Sequence, residues 1–262
     1  MEAEELQQWA TQIAESFNKE FFDAETGIYR GERLTDYRQA ANIVPLEYGL
    51  VEKKYEKTVL DNLLKDIRDK GGRLSTGFLG TSALMEYLPV VEPEMAYKLA
   101  TQPEYPGWGY MIAQGANSMW ECWDGYYSRN HPPFCLISGY FYKYLAGIQP
   151  DLAAPGFKNI IINPSIVGDL QYVDAYHDCM YGRIISSWKR ENGQLTMDIS
   201  IPANTTATVY VPATAVSDIT ESGKPVEKAQ GIEFAGITNG KAKLKIGSGN
   251  YRFVTTNGYI SN

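Results

Sequence analysis

The chain has 262 residues, enough for two ordinary domains, and carries 31 Asp and Glu against 24 Lys and Arg. A net charge of −7 without any basic cluster argues against nucleic acid or an anionic membrane as the main partner. No apolar run approaches membrane-spanning length, and the acidic start differs from a secretory signal, so the compartment stays undetermined. The three cysteines are scattered without metal or redox spacing, which predicts free thiols.

The first half of the chain has the pattern of helices. Apolar residues recur at i, i+3, i+4 and i+7 from Leu6 to Phe21 and again from Val59 to Ile67. Pro45 should kink or end a weaker helix around it, whereas Pro93 begins one. Helices are predicted at residues 6–21, 36–50, 59–67, 82–88, 93–100 and 138–145. Gly-rich and polar connections between them, including residues 102–109, predict an array of helical hairpins.

After Pro150 the apolar period changes to two, as in half-buried strands. Asn192-Gly193 between two alternating runs is a strong hairpin signal. Strands are predicted at residues 183–189, 194–201, 206–211, 232–234, 241–246 and 251–255. This spacing is typical of an antiparallel β-sandwich, so we predict a multidomain chain, α then β, with domains at 1–149 and 150–262.

The run Trp120–Tyr127 is the leading candidate for a functional site. It places Glu121 between two indoles, and a carboxylate that is partly removed from water is costly unless its charge is used. Indole faces also suit the apolar faces of sugar rings, so the run favours a carbohydrate site with an acid/base residue. The alternative is a packed helix start, with the tryptophans in the core and Glu121 in solvent.

Other catalytic chemistries have little support in the sequence. The two histidines and three cysteines do not cluster, and no Gly-rich phosphate loop follows a strand, so no metal and no cofactor is predicted. Sugar hydrolysis needs two carboxyl groups across the scissile bond. Glu121 can be one of them, but Asp124 lies too near in sequence to be its opposite partner, and no second carboxylate stands out.

Several segments together resemble the bacterial α-L-rhamnosidases of glycoside hydrolase family 78. They occur in the family's order along nearly the whole chain, and the ordered set is more specific than any single motif. The segments are Thr76-Gly77-Phe78-Leu79-Gly80-Thr81, Tyr105-Pro106-Gly107-Trp108-Gly109-Tyr110-Met111, residues 115–125 (GANSMWECWDG), Asn130-His131, and residues 201–207 (IPANTTA).

The resemblance implies an (α/α)6 barrel followed by a β-sandwich, and hydrolysis of terminal α-L-rhamnosides with inversion and without metal. Glu121 matches the Glu of the family's Trp-Glu-Arg-Trp-Asp motif and would act as general base. His131 matches the rhamnose-contacting histidine, and Trp108 and Trp123 would line the sugar pocket. The implied partner is a rhamnose-containing glycan or glycoside.

The chain also departs from the family pattern. The upstream segment that carries the general acid is not found, and Cys122 replaces the usual Arg after the base. The loop from Glu121 to His131 is shorter than usual. About six helices are predicted where a complete barrel needs twelve, so we expect the C-terminal half of a barrel from a longer enzyme. Half a barrel should leave an apolar surface uncovered, through which the chain could self-associate.

Structural alternatives exist for several of these residues. His177 is better explained as a surface or packing residue than as a ligand, and Gly77 and Gly80 as positions of close packing or a turn. The His131 imidazole could instead cap a helix start before Pro132. For the isolated chain, the alternative function is a non-catalytic fragment that binds carbohydrate or scaffolds an assembly.

Overall fold

The first half of the chain is helical, as predicted. The structure is a computed structural model that describes residues 2–31 and 36–256. A two-stranded hairpin of β1 (Phe22–Asp23) and β2 (Ile28–Tyr29) follows the first helix. The helices are α1 (Ala3–Phe21), α2 (Gln39–Glu47), α3 (Glu56–Asp69), α4 (Phe78–Val91), α5 (Pro93–Ala100), α6 (Trp108–Ala113) and α7 (Leu136–Tyr140), the last continuing as a π-helix (Phe141–Leu145).

The helix predictions are confirmed with shifted ends. α2 continues through Pro45 and ends at Glu47, where Gly49 has a φ of +64° and the Leu50 N–H donates to the Pro45 carbonyl at 2.9 Å, so a glycine cap ends the helix. α3 buries Val59, Leu63, Leu64 and Ile67. Its outer face carries ion pairs such as Lys57–Asp61 at 2.5 Å. α6 was not predicted, because six residues are too few for a helical period to be visible.

Gly80 brings α4 against α2. A Cβ at this position would lie 2.8 Å from the Cβ of Ala40 and 2.9 Å from the Thr76 methyl group, so only glycine permits this approach. The predicted packing role of Gly80 is therefore confirmed. The same contact places Thr76, which precedes α4, beside α2.

α1 has a predicted apolar face but no buried residue. Leu6, Trp9 and Ile13 are 50%, 48% and 61% exposed. The expected uncovered apolar surface is thus present on this helix, and self-association through it remains a prediction. None of the helices in the described ranges is both long and apolar enough to cross a bilayer.

The second half of the chain consists of strands in two sheets. The strands are β3 (Ile148–Pro150), β4 (Asn159–Ile162), β5 (Tyr172–Cys179), β6 (Gly182–Glu191), β7 (Gln194–Ile201), β8 (Thr206–Pro212), β9 (Ile219–Glu221), β10 (Lys224–Pro225), β11 (Ile232–Thr238), β12 (Lys241–Ile246) and β13 (Gly249–Thr255). One sheet has the order β10-β9-β13-β7-β6-β5 and the other β11-β12-β8-β4-β3.

The predicted hairpin between β6 and β7 is confirmed. Asn192 and Gly193 have φ of 51° and 77°, which matches the turn that Asn-Gly favours. Leu195, Met197 and Ile199 on β7 are buried. Both sheets contribute to one apolar cluster, for example Val209 and Leu244 from one and Trp188 and Phe253 from the other.

One strand pair departs from the antiparallel prediction. β4 pairs with β8 in parallel, with Asn159 opposite Thr206 and Ile162 opposite Val209. Parallel neighbours need a long crossover, and here β5, β6 and β7 of the other sheet lie between the two strands in the chain.

β5 itself was not predicted. It alternates half-buried residues such as Val173 with exposed tyrosines, and His177 on it packs against the Phe157 ring at 4.7 Å.

Contacts between residues divide the chain into two compact units, residues 1–137 and 138–262. The first contains the helices from α1 to α6, and the second contains strands β3 to β13. The domain boundary predicted between residues 149 and 150 remains a prediction.

Lys241 on β12 is a largely buried ammonium group with neutral partners. Its Nζ donates hydrogen bonds to Asn163 Oδ1 at 2.7 Å and to the Pro164 carbonyl at 2.9 Å. Burial lowers the pKa of Lys241 from 10.5 to about 8, because desolvation disfavours the charged form.

The lowered pKa of Lys241 predicts a rise in stability with pH. Between pH 8 and 10.5 the unfolded chain binds more protons at this site than the folded chain, so the contribution of Lys241 to the free energy of unfolding, measured as wild type minus Lys241→Met, should increase by about 1 kcal/mol or more. Urea unfolding at intervals from pH 7.5 to 10.5 measures this. Lys241→Met should remove the rise, and Lys245→Met, which removes an exposed lysine of the same strand, should retain it. If the free energy of unfolding changes with pH by the same amount in all three proteins, the lowered pKa does not belong to Lys241.

Candidate active site

The predicted site lies on a loop, residues 119–131, between α6 and a 3-10 helix (Pro132–Cys135). The run Trp120–Tyr127 contains no helix, so the alternative of a helix start is wrong. Both of its tryptophans are buried, however, as that alternative expected. Two backbone hydrogen bonds close the loop. Glu121 N–H donates to the Ser128 carbonyl at 2.8 Å, and His131 N–H donates to the Met119 carbonyl at 2.8 Å. The Ser118 hydroxyl also donates to the Arg129 carbonyl.

Glu121 is half-buried and held at one carboxylate oxygen. Its Oε2 accepts a hydrogen bond from Ser128 N–H at 3.3 Å. Among the residues that the structure describes, none donates a hydrogen bond to the other oxygen, Oε1. A carboxylate fixed in this way has one oxygen for the loop and one that can accept a proton from a water molecule.

Trp120 packs inside the loop rather than toward a ligand. It is 4% exposed, and a Cβ on Gly125, which has φ of +69°, would lie 2.7 Å from its ring. The Arg129 guanidinium covers the indole at 5.0 Å, and its Nε donates to the Gly125 carbonyl at 3.1 Å. Sequence reasoning missed Arg129, because nothing in the local pattern separates it from an ordinary surface arginine.

Trp108 of α6 and Trp123 of the loop form a buried aromatic contact. They are 5% and 6% exposed, and their rings meet edge to face at 5.2 Å. The Trp123 ring also lies 3.9 Å from that of Phe134. The Trp108 indole N–H donates to the Phe134 carbonyl at 3.0 Å, and the Trp123 indole N–H donates to the Thr76 carbonyl at 2.8 Å. Their predicted place in a sugar pocket stays a prediction, and only a small part of either side chain is exposed.

His131 ends the loop and is half-buried. Its ring lies edge to face against Phe78 at 6.0 Å. The 3-10 helix after it has no side-chain cap, so the alternative role of His131 as a cap is not observed. Phe78 begins α4, so the first predicted motif, residues 76–81, contacts both His131 and Trp123.

Two other residues of the motif have local roles. Asp124 is exposed, and its Oδ1 accepts the Tyr126 N–H at 3.0 Å, which forms a side-chain turn. The pKa of the Cys122 thiol is raised by partial burial and by the nearby carboxylates of Asp124 and Glu121. The loop tip presents Tyr126 and Tyr127, which are 79% and 63% exposed.

Across residues 2–31 and 36–256, no group of three or more His, Cys, Asp or Glu side chains could hold a metal ion. The structure instead brings three sequence-distant motifs together, around Thr76, Trp108 and Glu121. They meet at Trp123, whose indole N–H reaches the Thr76 carbonyl and whose ring contacts Trp108, two positions along the loop from the half-buried Glu121. This arrangement can position a proton acceptor beside a bound ring.

The comparisons with known proteins agree with these motifs. Residues 1–145 match the bacterial alpha-L-rhamnosidase 6 hairpin glycosidase domain. Residues 147–225 match the bacterial alpha-L-rhamnosidase C-terminal domain.

Individual relatives are similar in sequence and structure. An alpha-L-rhamnosidase of Streptomyces avermitilis is 31% identical over 82% of this chain, and one of Formosa agariphila is 30% identical over 89%. The chain spans only 21% and 26% of those two proteins. A crystal structure of the Streptomyces avermitilis enzyme complexed with L-rhamnose covers 97% of this chain with a TM-score of 0.86 and 28% identity, and this chain covers 24% of it. The alpha-L-rhamnosidase from Dictyoglumus thermophilum covers 95% with a TM-score of 0.84 and 30% identity, of which this chain covers 28%.

A family profile that covers more than half of the residues agrees with the ordered motifs, the helical and β-rich units and the structural neighbours. The chain belongs to the bacterial α-L-rhamnosidase family of glycoside hydrolases.

Proposed function

We propose that the chain supplies the base-bearing part of an inverting α-L-rhamnosidase, which hydrolyses terminal α-L-rhamnosides. The observation that carries the proposal is the half-buried Glu121 carboxylate, bound through Oε2 and open at Oε1, within a family-matched loop. A structural neighbour was solved with L-rhamnose, which supports rhamnose as the sugar recognised here.

In the proposed reaction Glu121 is ionised and removes a proton from water. The water oxygen attacks the anomeric carbon as the bond to the aglycone oxygen breaks, and a second carboxyl group protonates that oxygen. An inverting pair should stand about 6.5–9.5 Å apart, so that a water molecule fits on the base side. We propose that the second carboxyl group comes from a part of the enzyme that this chain does not contain, because the chain spans about a quarter of its relatives.

The other predicted residues have distinct proposed roles. The half-buried imidazole of His131, fixed beside Phe78, can exchange hydrogen bonds with sugar hydroxyls. Trp108 and Trp123, which pack edge to face, would line the sugar pocket. We propose no cofactor and no metal for this chemistry.

We also propose the fold in which this site would be completed. Residues 1–149 would form part of an (α/α)6 barrel, and residues 150–262 a β-sandwich formed by the two sheets. The active site of such a barrel is completed by its remaining helices. The exposed apolar face of α1 is consistent with a ring whose neighbouring helices are supplied by another part of the protein.

The test is hydrolysis of an aryl α-L-rhamnoside by the chain and by a form extended to the length of its relatives. We expect turnover only in the extended form, with β-L-rhamnose as the first anomer seen by proton NMR, since inversion at the anomeric carbon converts α to β. An aryl β-glucoside is the control substrate. An extended form that does not hydrolyse the rhamnoside, or that releases α-L-rhamnose first, would overturn the proposal.

A second candidate is a non-catalytic fragment that binds carbohydrate. The exposed pair Tyr126 and Tyr127 at the loop tip favours it, because exposed aromatic rings offer stacking surfaces for sugars. Rhamnoside binding without hydrolysis in every form of the protein would select this candidate.

A further inference from the structure

Gln39 on α2 is fully buried, and its side-chain amide binds the backbone of a neighbouring segment. Its Oε1 accepts the Ser75 N–H at 2.8 Å, and its Nε2 donates to the Arg73 carbonyl at 3.2 Å. The same Nε2 donates to Asp66 Oδ2 at 3.0 Å. The amide therefore pairs with residues 73–75 as a neighbouring strand would, and it fixes the backbone that leads into Thr76.

Thr76 carries this constraint to the loop of Glu121. Its carbonyl accepts the Trp123 indole N–H at 2.8 Å. Its hydroxyl lies 2.7 Å from that of Thr81, so the residue is held at both ends. Trp123 is two positions from Glu121 in the same closed loop. A shift of the Thr76 carbonyl therefore displaces the hydrogen-bond acceptor of the Trp123 indole.

We infer that Gln39 is a positioning residue for the loop that carries Glu121, acting through Thr76 and Trp123. The expected effect of Gln39 on catalysis rests on the proposed function. The hydrogen-bonded path from Gln39 through Thr76 to Trp123 does not depend on that function. Misplacement of a general base by a fraction of an ångström lowers the rate of the chemical step more than it weakens substrate binding.

Asn42 provides a matched control on the same helix. It is also fully buried and makes three side-chain hydrogen bonds, two to the backbone of Tyr29 and one to the Arg38 carbonyl. Neither partner leads to Thr76 or Trp123. Asn42→Leu therefore removes as many hydrogen bonds from α2 as Gln39→Met does. It leaves in place the hydrogen bonds from Gln39 to residues 73–75 and from Trp123 to Thr76.

The experiment follows indole N–H exchange by proton–nitrogen NMR, with the Trp123 signal assigned by its loss in Trp123→Phe. We expect Trp123 to exchange at least tenfold faster in Gln39→Met and at the wild-type rate in Asn42→Leu. Trp188 is the internal reference, because its buried indole donates to the Leu145 carbonyl at 2.8 Å. If Gln39→Met does not fold, Gln39→Asn keeps an uncharged amide that is one methylene too short to reach both Ser75 and Arg73, and it should give an intermediate increase.

An unchanged Trp123 signal in both Gln39 variants, or equal acceleration in Asn42→Leu, would overturn the inference. In the extended, hydrolytic form, Gln39→Met should lower kcat with little change in KM, and Asn42→Leu should change neither. If the wild-type extended form shows no hydrolysis, the proposed function fails, while the indole exchange still decides the inference.

Discussion

Replacing Glu121 with glutamine is expected to lower kcat of the extended, hydrolytic form by about 10²–10⁴-fold, the contribution of a positioned general base. The amide is nearly isosteric, so the loop should keep its shape. The hydrogen bond from Ser128 N–H requires only an acceptor oxygen, which glutamine supplies. The loss would then reflect the missing proton acceptor, measured as initial rates on an aryl α-L-rhamnoside.

Asp124→Asn is the matched control for Glu121→Gln. It removes a carboxylate three positions away on the same loop, where the side chain serves a local turn with Tyr126 N–H. Asparagine can accept the same hydrogen bond, so activity should stay within about threefold of wild type, since such a turn depends on an acceptor oxygen and not on charge. If Asp124→Asn loses its activity while Glu121→Gln keeps most of it, the assignment of the general base to Glu121 is wrong.

The second large effect is expected on self-association of the isolated chain. α1 exposes Trp9 and Ile13 on one face, and burying each such side chain contributes about 1.5–3 kcal/mol. Introducing glutamate at both positions should weaken association by about 100-fold or more, because each tenfold change in Kd corresponds to about 1.4 kcal/mol. Sedimentation velocity over a range of protein concentrations measures the change.

The control for the α1 variants alters the opposite face of the same helix. Gln8→Glu with Thr11→Glu adds the same charge where the residues are polar and exposed, and should leave the association unchanged. A wild-type chain that is monomeric at all concentrations would contradict self-association through this face.

Much of the fold could be predicted, because its signals are local. The face of α3 follows from the spacing of Val59, Leu63 and Ile67, and the β6–β7 hairpin from Asn192-Gly193. The parallel pairing of β4 with β8 could not be predicted, because it depends on a crossover of more than forty residues. β5 was missed because its inward side chains are only half-buried and its outward tyrosines weaken the apolar alternation.

The site was predicted only in part, for a related reason. The flanking indoles and the ordered motifs identify Glu121 as a candidate, but the conformation of its loop depends on distant contacts. The Trp123 indole reaches Thr76, 47 residues earlier, so its burial is not visible in the local sequence. Gln39 lies in a weakly patterned helix, and its partner Ser75 is 36 positions away.

Chemical rescue tests the role of Glu121 most directly. Glu121→Ala in the extended form, given sodium azide, should regain turnover, because a small anion can fill the vacated space and attack the anomeric carbon without a base. We expect β-L-rhamnosyl azide to accumulate as the aglycone is released, and both products are detected by NMR. No rescue by azide, or an α-configured azide product, would contradict Glu121 as the base of an inverting reaction.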